Sequence, residues 1–291
     1  MITTELFYNR FQINYYDYKV ESFKYLLENY ASLKLNEKII EYSDSDYLTA
    51  IKSDIRQTLF HAIETVFEIF LALCPDENGN ETQNIIEKIT SSKLPYAKIS
   101  KFGKSIDSLS FLDSKVTLSD KSKSILGEHI FYPGIRKKEF QKKIKISVKA
   151  IKYGLHVLAK EFSDRREYNS YKHGLRIIPA FKNFSIFDPE NKDRQLNWNL
   201  DNTMSFYSYN SKNLEDNYHT KSFDSNRDLK IITFCSFLLW NMIKIRDHII
   251  NKSKEKKGFQ AFLFEKKAID DMIKSDVKIQ DLKFTIKQIN N

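Results

Sequence analysis

Glycine and proline are scarce, at 7 and 5 in 291 residues. These residues punctuate helices and shape turns, so their scarcity predicts long, uninterrupted helices. Cysteine is nearly absent. Cys74 and Cys235 lie far apart and outside any CxxC pattern, which excludes a disulfide framework or a cysteine zinc site and points to a reducing compartment. No run of about 18 apolar residues exists, so no membrane span is expected. The opening MITTELFYNRF has no basic segment followed by an apolar one, so a cytoplasmic protein without a membrane partner is expected. GxxxxGK[ST], GxGxxG, HExxH and GxSxG are all missing. P-loop hydrolysis, dinucleotide binding, zincin chemistry and a serine-hydrolase triad are therefore unsupported, and no cofactor or metal is expected.

What is present describes a globular chain. Hydrophobic residues make up 41% and aromatics 14%, enough for a substantial core. Lys and Arg number 47 against 38 acidic residues, a net charge of +9. That excess favours RNA or another polyanion as partner, although the wealth of Lys, Asn, Ile, Phe and Tyr also resembles what an AT-rich genome imposes.

Apolar residues recurring at three and four predict helices over about 16–34, 47–73, 136–162 and 227–251. Ser45 or Asp46 is available to cap the second, and Asp224, Ser225 or Asn226 the fourth. The third carries Lys137, Lys138, Lys142, Lys143 and Lys145 in its first turns, where positive charge opposes the helix dipole. Residues 92–124 read as loop-rich with one or two short helices, and GEHIFYPG at 127–134 reads as a turn. Around Asp188-Pro189-Glu190-Asn191 the alternation in 175–187 and 195–209 predicts a β-hairpin. Residues 210–225 read as a polar loop, and 259–291 as one charged helix with a ragged end. The whole is expected to be a single, mainly α domain with an inserted hairpin and loop at 177–222.

RREYNSYKHGLR, residues 165–176, concentrates the polar chemistry. On a helix Arg166 and His173, seven apart, nearly eclipse, with Asn169 between them and Arg165, Lys172 and Arg176 flanking. Tyr168, Tyr171 and Leu175 fall on the other side. Gly174 is placed to stop the helix, with Pro179 soon after. A histidine that moves protons beside an arginine that holds phosphate oxygens suits phosphodiester chemistry, although such a composition also suits a solvated helix end. A second group, Arg56, His61 and Glu64, lies in the helix RQTLFHAIETVFEIFLAL, where a His and a Glu three apart can equally form a structural pair.

An Arg and a His separated by four to six residues near a helix end resembles the HEPN superfamily of helical bundles. The chain offers two matches, Arg56-Gln-Thr-Leu-Phe-His61 and Arg166-Glu-Tyr-Asn-Ser-Tyr-Lys-His173. The second includes Asn169-x-x-Lys172-His173-Gly174, which looks like an HEPN-like variant. The resemblance implies a HEPN-like bundle that binds RNA or cuts it without a metal, in antiviral defence or a toxin–antitoxin system. In that reading His173 is the general acid or base, Arg166 the phosphate ligand and Asn169 an orienting group. Arg165, Lys172 and Arg176 would bind flanking phosphates, and Arg56, His61 and Glu64 a secondary site. It also implies a homodimer and a protein partner such as an antitoxin. The alternative it implies is a non-catalytic HEPN-like module acting by dimerisation or docking.

Overall fold

The computed structural model describes residues 3–33, 43–76, 78–82, 84–91, 94–172, 177–179, 183–187, 195–199, 203–210, 213, 215–222, 224–250, 260–275, 277 and 281–287. The protein is mainly helical, and the chain separates into two compact units. The first comprises Met1–Ser22, Thr58–Asp164 and Leu229–Lys274. The second comprises Phe23–Gln57, Arg165–Asp228 and Ser275–Asn291.

The described helices are α1 (Thr4–Arg10), α2 (Tyr15–Asn29), α3 (Asp44–Ala72), α4 (Ile85–Ser91), α5 (Tyr96–Lys104), α6 (Leu126–Phe131), α7 (Lys138–Phe162), α8 (Arg165–Lys172), α9 (Ser225–Ile250) and α10 (Lys266–Ile273), of which α2, α3, α7 and α9 are the four long helices expected from the apolar spacing. On α7 the buried Ile144, Val148, Ile151, Leu155, Leu158 and Phe162 follow the three-and-four spacing of one helix face. Ser43, one residue before α3, bonds the Asp46 amide, rather than Ser45 or Asp46 acting as the cap. Asp224 caps α9 by accepting from the amides of Asn226 and Arg227, at 2.9 and 3.2 Å.

In the first unit an aromatic cluster fills the core. Phe70 stacks on Phe131 at 6.0 Å, and Phe67 meets Phe102 and Phe162 at 6.3 and 6.4 Å. Helix α5 packs on α7 where Gly103 removes a side chain, because a Cβ there would stand 3.0 Å from the Ala159 backbone. The stretch expected to be loop-rich with one or two short helices holds α5 and a 3₁₀ helix (Ile106–Asp113), and adds an unexpected short hairpin of β1 (Lys115–Thr117) and β2 (Lys123–Ile125). Its serines and lysines hide an apolar core set, Ile99, Phe102, Leu109 and Leu112, all buried. The expected turn at 127–134 is mostly α6, with His129 buried on it.

The second unit holds more strand than the sequence patterning predicts. The hairpin is there as β4 (Asn183–Phe187) on β5 (Gln195–Asn199), antiparallel; its turn at 188–191 lies outside the described residues. A separate four-stranded antiparallel sheet runs in the order β3 (Ile177–Pro179), β6 (Thr203–Asn210), β7 (Glu215–Ser222), β8 (Asp281–Lys287). Strand β7, EDNYHTKS, replaces an expected polar loop, and β8 an expected ragged end. Strand β8, DLKFTIK, alternates Leu282, Phe284 and Ile286 with polar residues as an ordinary strand does; β7 has no such alternation, and partners on both sides satisfy its backbone.

Candidate functional site

Helix α8 begins three residues after α7 ends, following Ser163 and Asp164, and packs on β6 of its own unit. Glu167, Tyr168 and Ser170 are buried, and Asn169 is half-buried. At about 100° per residue the buried three span one arc of the helix. Positions 165, 166, 169 and 172 occupy the opposite arc, with Glu167 about 100° from Arg166 and about 160° from Asn169.

Glu167 is the anchor of that arrangement. Its carboxylate accepts from Arg56 at two points, Nε to Oε1 at 2.5 Å and Nη2 to Oε2 at 3.1 Å. Lys221 Nζ on β7 donates to the same Oε2 at 2.8 Å. The remaining arm of Arg56 reaches Asp228 Oδ1 at 3.0 Å, and Arg227 approaches that oxygen at 3.5 Å. Thus Arg56, Lys221 and Arg227 surround the carboxylates of Glu167 and Asp228. Burial pushes the Glu167 carboxyl up, but the Arg56 guanidinium and then Lys221 outweigh it and hold the group below the usual glutamate range. Glu167 is therefore ionised and neutralised, and its charge is turned away from the polar arc of α8.

The same geometry places the residues of the secondary set. Arg56, expected beside His61 and Glu64, is committed to Glu167 and Asp228 in the second unit. His61 and Glu64 belong to the first. His61 is exposed and not a core residue, and its backbone carbonyl accepts from Tyr16 Oη at 3.1 Å. Glu64 accepts from Tyr96 Oη at 3.0 Å. Of the primary set, Arg165, Arg166, Asn169 and Lys172 are on α8, whereas His173, Gly174 and Arg176 lie outside the described residues. Lys221, Arg227 and Asp228 were not singled out from the sequence. The signal for Arg227 and Asp228 is an Arg-Asp pair opening an otherwise strongly apolar helix; Lys221, on β7, carries none.

A second cationic feature belongs to the first unit. Lys138, Lys142, Lys145 and Lys149 are exposed on α7 at spacings of four, three and four, which puts them on one stripe. Lys101 and Lys104 of the neighbouring α5 are also exposed. Among the described residues no group of three or more His, Cys, Asp or Glu is placed to hold a metal ion, and no helix is long and apolar enough to cross a membrane. Comparison with protein-family models, curated proteins and solved structures finds no match to this chain.

Proposed function

We propose that the protein is a HEPN-like RNA-binding protein that cuts RNA as a metal-independent endoribonuclease, with the polar arc of α8 as its site. Arg166 holds the scissile phosphate, His173 takes and returns the proton as the RNA 2′-hydroxyl attacks that phosphate, and Asn169 orients the reacting groups. Arg165, Lys172 and Arg176 contact the flanking phosphates, and a homodimer completes the site. A role in antiviral defence or opposite an antitoxin follows from the same reading.

The observation that carries the proposal is the burial of Glu167 against Arg56 and Lys221. A carboxylate next to Arg166 in sequence would repel a phosphate if it shared that face. Sequestered and neutralised, it leaves Arg165, Arg166 and Lys172 as the ionic residues of the opposite arc. The net charge of +9 and the lysine stripe of α7 support a polyanionic substrate.

The test is cleavage of a mixed RNA in EDTA by the wild type beside His173→Ala and Arg166→Ala, with the product ends analysed for 2′,3′-cyclic phosphate. The expected result is cutting by the wild type alone, with both variants folded. An inert wild type, or variants that cut equally well, would replace this reading with that of a non-catalytic docking module.

A further inference from the structure

The first unit contains a cleft at the start of α7 that is independent of α8. Two adjoining cavities share Tyr132, Gly134, Ile135, Arg136 and Ile144. The larger, about 610 Å³, is completed by Lys137, Phe140, Gln260, Ala261 and Leu263. The smaller, about 390 Å³, adds polar groups including Lys123, Glu128 and His129. Both volumes are in the range of small-molecule sites.

The walls are held in place by the protein itself. The Phe262 amide donates to Asn241 Oδ1 at 2.9 Å, and the Phe262 carbonyl accepts from Asn241 Nδ2 and Tyr132 Oη, each at 2.7 Å. Phe264 donates its amide to Ser147 Oγ at 2.7 Å, and the Phe262 ring stacks on Phe237 at 4.2 Å. On the facing wall Gln141 Nε2 donates to the Ile135 carbonyl at 2.7 Å, and Gly134 supplies the positive φ of 70° that its turn requires. A ligand would therefore pay little to order the cleft.

Its chemistry is one-sided. Phe140 and Leu263 present large apolar surface although 37% and 44% exposed, and Ile144 lies buried between the cavities. The charged residues lining the larger cavity are Arg136 and Lys137, with no carboxylate among its lining residues. Arg136 is only loosely engaged, 3.6 Å from an exposed Asp120.

We propose that this cleft binds a small monoanionic amphiphile, its acyl or fused-ring body against Phe140, Ile144 and Leu263 and its anionic group on Arg136 and Lys137. The probes are 1-anilinonaphthalene-8-sulfonate, read by fluorescence, and decanoate as competitor below its micelle concentration. Wild type should bind the dye saturably and release it to decanoate but not to decanol. Phe140→Ser and Arg136→Gln should each weaken binding about tenfold, with the circular dichroism spectrum unchanged. Lys143→Gln, on the same helix but outside the cleft, should bind as wild type. Dye fluorescence that does not saturate, or that is the same in all four proteins, would overturn the site. Displacement by decanol as readily as by decanoate would overturn the anionic half of the proposal.

Discussion

Arg56 and Glu167 stand 111 positions apart in sequence and meet as a two-point ion pair, with their side chains 2% and 1% exposed. The guanidinium fork matches the carboxylate, so the pair fixes the angle at which the first turn of α8 meets the Arg56 turn of α3. Because Asp228 takes the third arm, residues from α3, α8 and α9 converge on one side chain.

Removing the guanidinium should be severe. Arg56→Met leaves Glu167 and Asp228 buried with less compensation and should cost about 3–5 kcal/mol. Arg56→Lys should recover only part, since an ammonium cannot bridge both carboxylates in fork geometry. Combining Arg56→Met with Glu167→Leu and Asp228→Asn should restore most of the loss. Urea unfolding of the four proteins checks the series; a loss under about 1 kcal/mol for Arg56→Met would show the cluster to be peripheral.

Acid should destabilise the protein in two windows. Burial and then Arg246 lower the His129 pKa from 6.5 to about 4, against the opposing pull of Glu81, whose Oε1 lies 3.4 Å away. The unfolded chain therefore takes up this proton first, and the stability from keeping His129 neutral is complete above pH 6.5 and lost as pH falls towards 4. The full span is worth at most about 3 kcal/mol. Glu167, held below its ordinary value, contributes stability that is complete above that value and disappears as pH falls through its folded pKa. Stability measured against pH should show the His129→Gln variant flatter between 6.5 and 4, with the lower limb retained.

Gly154→Ala should be destabilising although alanine is the better helix former by about 1 kcal/mol. A Cβ at this α7 position would stand 2.5 and 2.8 Å from the Phe234 ring, and a packed aromatic edge cannot yield that much. A net loss of about 1–3 kcal/mol is expected, with Phe234→Leu in the Gly154→Ala background recovering part of it. Thermal unfolding that shows a gain would mean that the ring moves freely.

If the lysine stripe of α7 tracks an RNA backbone, Lys142→Gln, Lys145→Gln and Lys149→Gln together should lower the slope of log affinity against log salt by roughly 2. The loss should be similar for unrelated RNA sequences. An unchanged slope in filter binding or anisotropy would remove this face from the RNA path.

The sequence by itself determined the four long helices. Apolar residues at three and four in α2, α3, α7 and α9 specify a buried face whatever that face meets, so these elements were legible almost to their ends. It also marked the α8 segment, because Arg, Asn and Lys at helical spacing define an arc without reference to anything else. Only the tertiary structure decided what Glu167 and Arg56 do. A carboxylate beside Arg166 and an arginine in an apolar helix are costly or helpful depending on partners 111 positions away, and spacing carries no information at that distance. The alternation of Leu282, Phe284 and Ile286 makes β8 legible in the sequence itself, whereas the same reason hid β7. EDNYHTKS reads as a loop because strand patterning reports burial on one face, while the backbone pairing that makes it a strand comes from β6 and β8, the latter more than fifty residues further along.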